Sequence, residues 1–263
     1  MKNYLFKIKK KISSKKALTE LEELGLTNIY TIFDSDNNDH LIGGTSLSNI
    51  NPKLSCLIKD NLTINWQEQW QNFAENFSNG LSTIDLTKFN EKKFFSLKPG
   101  KGFGDLSHSS TYLMLKMMKP YVKNKYVIDI GCGSGILSIA SVYMKAKKVI
   151  GVDIDKDALI HSKNNAKLNA LNKAKIIFRK KVNYKALDFK YNVLINMTFD
   201  EQKYVMQNKN LFTNAKYFIT SGILKDQKNE YLSFMKRLDL KIVKYHQKKE
   251  WMGFIFYNPI HLS

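Results

Sequence analysis

Arginine is nearly absent from this chain: Arg179 and Arg237 are the only two among 42 basic residues. The guanidinium is the group that reads bases and phosphates bidentately, so the net charge of +19 does not by itself indicate a dedicated nucleic-acid surface. The lysine excess, with asparagine-rich runs such as NNDH, KNNAKLNALNK and QNKN, reads as the drift of an AT-rich genome. Cysteine is equally sparse. Cys56 and Cys132 lie far apart without metal-type spacing, which excludes a disulfide framework and suits a reducing cytoplasm. No run approaches the roughly 18 apolar residues of a membrane span. The opening MKNYLFKIKKKISSKKALTE lacks the apolar core of a secretory signal. What is present is 43% hydrophobic residues, enough to separate the chain from disordered sequences. A soluble, monomeric cytoplasmic protein is expected.

Three regions differ in pattern. Residues 1–64 read as a small α/β domain, with strands at Tyr4–Ile8 and Ile29–Phe33. Between them Ala17, Leu18, Leu21 and Leu24 have helical spacing before Gly25, and a short helix is expected over Lys53–Asn61 after Pro52. Residues 65–95 form a linker, whose Trp66, Trp70, Phe73 and Phe77 recur every three or four positions as in an amphipathic helix. From residue 96 to 263 strands and helices alternate. Strands are expected at Tyr126–Ile130, Lys148–Val152, Lys175–Phe178, Asn192–Asn196, Lys216–Thr220, Lys241–Tyr245 and Gly253–Tyr257, with helices in the first five gaps. The fold class is therefore α/β, with a mostly parallel seven-stranded Rossmann-like sheet whose last strand is reversed.

The cofactor signal is VIDIGCGSGILSIA. A hydrophobic strand carries Asp129, then Gly131, Gly133 and Gly135 form a loop that opens an apolar helix. In KVIGVDIDKDAL, Asp153 ends the next strand, where a carboxylate can accept from both ribose hydroxyls of an adenosine. Dinucleotide sites use G-x-G-x-x-G and place a pyrophosphate at the helix start. Here the spacing is G-x-G-x-G, and Asp129 would repel a pyrophosphate. It suits the ammonium and sulfonium of S-adenosylmethionine. Cys132, inside the loop, is a small residue that fits, with no histidine–acid pair beside it.

Nearly the whole chain resembles the PrmA family of methyltransferases, which methylate amines of the large-subunit ribosomal protein L11. The resemblance runs through WQEQWQNF, LKPGKGFGDLSHSST, the glycine loop, GVDID, LINM, SGILKDQ and the late KKEW, and SGIL followed by DQ is its most specific part. It implies a class I methyltransferase fold in which residues 1–64 recognise substrate and residues 96–263 bind S-adenosylmethionine. The family's cofactor contacts would fall on Thr111, Gly131, Asp153 and Asn196, and Asp129, Gly133, Gly135 and Phe103 complete the expected cofactor set. Asn196 and His108 would be the catalytic candidates. The chain departs from the family at Asp105-Leu106, at Ser109-Ser110 and at Met197-Thr198-Phe199, which bears on substrate more than on cofactor.

Each of these residues also has a structural reading. His108 can be a packed loop histidine, Thr111 can cap a helix over Tyr112–Met118, Asn196 can hold a turn, and Trp251 reads as core. Methyl transfer mainly requires alignment of a neutral amine, which Asn196 and backbone carbonyls can orient while His108 or Asp105 assists proton departure. Alternative functions are a lysine methyltransferase with another protein target, a nucleic-acid amino-methyltransferase, or a cofactor-binding module without catalysis. Enzymes that methylate base amines carry N-P-P-Y or D-P-P-Y after the fourth strand; Asn196-Met197-Thr198-Phe199 lacks both prolines and the tyrosine.

Overall fold

Alternation of large apolar side chains starts the chain as a strand: Tyr4 and Phe6 of β1 (Lys2–Ile8) enter one small core. The computed structural model describes residues 2–9, 11–34, 39–59, 76–100 and 108–261. The chain divides into two compact units, Met1–Gln69 and Trp70–Ser263.

In the first unit, α1 (Ser14–Glu23) is capped by the Ser13 hydroxyl, which accepts from the Lys16 N–H at 3.4 Å. Strands β2 (Thr27–Asp34), β3 (Asp39–Ser46) and β4 (Ser55–Lys59) complete an antiparallel sheet of order β2-β3-β1-β4. Two expectations are corrected here. The helix expected over Lys53–Asn61 is instead the strand β4, which pairs with β1. The Lys53 and Leu54 N–H groups go to the Glu20 carboxylate at 2.7 and 2.8 Å, so this segment is held extended against α1. The strand β3 is not expected from sequence, because Gly43 and Gly44 at its centre weaken any strand signal. They lie opposite Leu5 and Tyr4, which supply the bulk.

The second unit opens with β5 (Phe77–Ser78), β6 (Leu81–Asp85) and β7 (Phe94–Leu97), a small antiparallel sheet inside the region read as linker. Phe77 is thus a strand residue, while Trp66, Trp70 and Phe73 lie outside the described residues. Then follow α2 (Ser109–Val122), β8 (Tyr126–Ile130), α3 (Ile136–Tyr143), β9 (Lys148–Val152), α4 (Lys156–Leu168), β10 (Ile176–Arg179) and β11 (Tyr191–Asn196). The chain closes with α5 (Phe199–Met206), β12 (Ala215–Leu224), α6 (Lys228–Arg237), β13 (Lys241–Lys248) and β14 (Trp251–Tyr257). All seven expected strands are found, in the order β10-β9-β8-β11-β12-β14-β13, with β14 antiparallel to both neighbours. One connection differs from expectation. Between β10 and β11 there is only a single 3-10 turn, Tyr184–Ala186, which turns Tyr184 into the core.

Successive strand residues point to opposite faces and so build two cores. Val127, Val149, Leu194 and Ile219 pack beneath α2, α3 and the small sheet. Ile128, Ile150, Val193 and Phe218 pack beneath α5 and α6. Asp129 shares the face of Val127 and points to α3. Since β8 and β11 are neighbours from which the chain winds in opposite directions, their carboxyl ends flank the crevice where open α/β sheets bind ligands.

Candidate functional site

At the end of β8 the chain must turn sharply, and Gly131 does so with φ of +69°. That conformation favours glycine, and a Cβ there would lie 2.7 Å from the Met197 sulfur, which would have to give way. Gly135 opens α3 in a left-handed conformation. The Gly131 and Cys132 N–H groups donate to the Val152 carbonyl at 2.8 and 3.0 Å, tying the loop to the end of β9.

Asp153 follows directly. Its carboxylate accepts from the Gly133 N–H at 2.9 Å and from the Asp155 N–H at 2.9 Å. Burial raises its pKa, while these two backbone bonds oppose the rise. Asp129 is 1% exposed. Its Oδ2 accepts from the Ser138 hydroxyl at 2.5 Å, but its Oδ1 has no partner. Burial pushes its carboxyl up to about 7, with the nearby Asp153 charge adding and Ser138 opposing. Burial also raises the Cys132 thiol well above its ordinary value, which leaves it an inert, protonated side chain.

Asn196 ends β11, and its Nδ2 donates to the Thr111 hydroxyl at 3.4 Å. Its Oδ1 is buried and unpartnered. Among the described residues three buried side-chain polar atoms lack a partner, and two of them, on Asp129 and Asn196, lie at this end of the sheet. Buried acceptors are normally satisfied, so each orphan marks a place where a donor is missing.

The expected residues therefore fall into connected groups. Gly131, Gly133, Gly135, Asp129 and Asp153 share the β8–β9 crest, and Thr111 meets Asn196 one strand away. Thr111 does not cap a helix: α2 begins at Ser109, and His108 is its N-cap. The His108 Nδ1 accepts from the Ser110 N–H at 3.3 Å and lies 2.7 Å from the Ser110 hydroxyl. Its ring sits edge-on to Trp251, with centroids 4.7 Å apart. Phe103, Asp105 and Leu106 lie outside the described residues.

Sequence reasoning missed the supports. Gln202, fully buried, donates to the Met197 and Ser221 carbonyls, both at 2.8 Å. The Tyr231 hydroxyl then bonds Gln202 Oε1 at 2.6 Å and Thr220 Oγ1 at 2.8 Å. Gly222, at φ +89°, has no room for a Cβ, which would lie 2.2 Å from the Met197 carbonyl oxygen. The SGIL segment is thus the wall that holds Asn196 and Met197 in place. Asparagine also carries more than base-composition drift. Asn165 on α4 and Asn169 at its C-cap, one turn apart, bond Lys98 N–H and both backbone groups of Ser96 at 2.7 to 2.9 Å. His161, one turn earlier, contacts the Lys98 carbonyl at 2.6 Å. The four-residue spacing His161, Asn165, Asn169 is the readable signal. Among the described residues no cluster of three His, Cys, Asp or Glu side chains can hold a metal, and no helix is long and apolar enough to cross a membrane.

A family model described as ribosomal protein L11 methyltransferase (PrmA) matches residues 9–258. The chain is 31% identical over 205 residues to the ribosomal protein L11 methyltransferase of Lachnospira eligens, a match covering 72% of this chain and 64% of that protein. It is 33% identical over 222 residues to that of Prochlorococcus marinus, covering 78% and 73%. The chain thus spans somewhat less than two thirds of the first of these relatives. A crystal structure of ribosomal protein L11 methylase from Lactobacillus delbrueckii subsp. bulgaricus superposes with a TM-score of 0.55 at 26% identity, over 62% of this chain and 83% of that one.

Proposed function

This chain belongs to the ribosomal protein L11 methyltransferase (PrmA) family, and we propose that it is an S-adenosylmethionine-dependent N-methyltransferase acting on amines of ribosomal protein L11, in the cytoplasm and as a monomer. The observation that carries the reading is the pair of orphaned acceptors, Asp129 Oδ1 and Asn196 Oδ1, beside a glycine loop at the carboxyl ends of β8 and β11. Acceptors without donors suit a ligand and a substrate that both bring N–H groups.

When bound, S-adenosylmethionine supplies an electrophilic methyl group on a sulfonium. The chain's own residues supply placement. Asp129 offers a buried acceptor for an ammonium, and a cation beside it favours the ionised carboxylate. Asp153, already fixed by two backbone N–H groups, retains lone pairs for ribose hydroxyls. Gly131 allows close backbone approach. Thr111 holds the Asn196 amide through its Nδ2, which leaves Oδ1 as the acceptor for the incoming amine.

Such an acceptor orients a nitrogen without taking its proton. An α-amine, with pKa near 8, is partly neutral at cellular pH, whereas a lysine near 10.4 must lose its proton on entering an apolar site. His108 is better placed to position than to act as base. Its Nδ1 is already engaged by the Ser110 N–H and lies 2.7 Å from the Ser110 hydroxyl. Phe103 belongs to the same reading through the resemblance alone. Residues 1–64 would choose the substrate, 65–95 link, and 96–263 carry the chemistry.

The test offers free ribosomal protein L11, total cell protein, ribosomal RNA and transfer RNA side by side with methyl-labelled donor, followed by mass spectrometry. Label on the N-terminal amine or lysines of the protein is expected. Label confined to nuclease-sensitive material would restore the nucleic-acid alternative, label on another protein alone the second protein target, and no turnover the binding module.

A further inference from the structure

Six strands of the large sheet run in one direction, and each begins at a lysine: Lys125 precedes β8, Lys148 opens β9, Lys175 precedes β10, Lys190 precedes β11, Lys216 is second in β12, and Lys241 opens β13. A shared direction places all six at one edge, opposite the candidate site, on strands about 4.8 Å apart where they are neighbours. All but Lys148 are exposed, and none makes an ion pair among the described residues. Acidic residues are distributed the other way. Among the described residues of the second unit, Asp188, Asp239 and Glu91, which pairs with Lys119 at the end of α2, lie near the amino edge. Asp153, Asp155, Asp157, Asp200, Glu201 and Asp226 gather at the carboxyl edge, interleaved with lysines. Drift in base composition enriches lysine without regard to strand direction. It does not sort acids to one edge.

The amino edge also has a shallow depression open to solvent. A groove of about 420 Å³ is lined by Asn124, Val142, Lys145, Ala146, Lys147 and Lys175. Its floor is two tight turns tied together: the Asn124 N–H donates to the Lys145 carbonyl at 2.9 Å, and the Lys147 N–H to the Lys125 carbonyl at 2.8 Å. Both Asn124 and Lys145 adopt positive φ to make those turns. The Lys147 ammonium lies over the Tyr126 ring at 4.7 Å.

We propose that this amino edge docks the backbone of an RNA. A row of lysines without arginine neutralises phosphates and reads no sequence. A membrane is disfavoured, because residues 123–125, 145–147 and 172–175 expose no large apolar side chain that could enter a bilayer. Because the edge is opposite the crevice, RNA held there leaves the site open and is a tether, not the methylated substrate.

The test is anisotropy of a fluorescent oligouridylate titrated with the full-length protein over a salt series. The variant Lys145→Glu/Lys147→Glu/Lys175→Glu should bind at least about tenfold more weakly. Its log–log salt slope should be shallower by about two, at roughly 0.7 for each phosphate that is no longer neutralised. Lys180→Glu/Lys181→Glu/Lys225→Glu makes the same charge change at the carboxyl edge and should weaken binding far less. Should the first triple variant fail to fold, Lys→Gln changes at the same three positions keep the comparison. Equal weakening by both sets would show a diffuse charge effect and overturn the proposal. So would an absence of RNA binding, or binding to anionic vesicles or polyglutamate as tight as to RNA.

Discussion

Asn192 and Asn196 sit four residues apart in the same strand and are treated in opposite ways. At the amino end, Asn192 donates to the Tyr121 carbonyl and accepts from the Tyr217 N–H at 3.1 Å, so both ends of its amide are used. At the carboxyl end, Asn196 spends its amide on Thr111 and leaves a buried oxygen without a donor. The contrast extends along the sheet. At the amino edge Tyr191 bonds the Leu211 carbonyl and Asn258 bonds those of Phe212 and Ala215, whereas at the carboxyl edge Asp129 is also left half-satisfied. Along this sheet the side chains of the amino edge are satisfied within the chain, whereas Asp129 and Asn196 at the carboxyl edge each keep an acceptor that the proposed ligands would fill.

The sharpest way to break this contrast is Asn196→Ala. Removing an acceptor that orients the reacting amine should lower kcat/KM by about 10²–10³, the scale of losing one preorganised polar group. The thermal midpoint should fall only slightly, since the oxygen removed has no partner in the chain and the one bond lost, from Nδ2 to the Thr111 hydroxyl, is long at 3.4 Å. A large fall in midpoint with activity retained would make Asn196 structural. Next in size, Asp153→Ala should weaken donor binding by roughly 1–3 kcal/mol, measured by titration calorimetry, through lost hydrogen bonds to a charged acceptor. Unchanged affinity in a folded variant would remove Asp153 from the ribose. Asn192→Ala should do the converse of Asn196→Ala. It should cost about 1–2 kcal/mol of stability in urea melts by stranding the Tyr121 carbonyl and Tyr217 N–H, with the KM for donor unchanged.

Truncation gives a fourth, qualitative contrast. The first unit has its own small core of Tyr4, Phe6, Leu21 and Ile42, while both orphaned site acceptors lie in the second. Removing residues 1–64 is expected to leave donor binding near that of the full chain and to abolish methylation of the ribosomal protein. Methylation at the full rate by the shortened chain would end the two-part reading.

How legible these features are follows from the physics that makes each. Six of the seven strands are readable because each is a short apolar run set off by helices or turns, the exposed edge strand β13 by its β-branched and aromatic Ile242, Val243 and Tyr245, and Asp129, the glycines and Asp153 because loop and strand-end chemistry is local. What fails is non-local. The strand β3 hides behind Gly43 and Gly44 because its side-chain bulk comes from β1 across the ladder. Residues 53–61 look helical after Pro52, but Glu20, far back in the chain, captures the N–H groups a helix would need. The Gln202–Tyr231 brace joins α5 to α6 through space, and neither residue carries a motif.

If Asp129 is the buried acceptor for the cofactor's ammonium, its ionisation gives the direct measurement. Its folded pKa of about 7 lies above the unfolded value near 4. Between those values the unfolded chain binds fewer protons than the native one, so stability of the free protein falls as pH rises through that window. Asp129→Asn should flatten that slope. A cation bound beside the carboxylate reverses the preference and expels the proton. Calorimetry of S-adenosylmethionine binding near pH 6, repeated in buffers of different ionisation enthalpy, should therefore show proton release that Asp129→Asn abolishes. Binding with no proton release in the wild-type protein, or release that survives Asp129→Asn, would contradict the account.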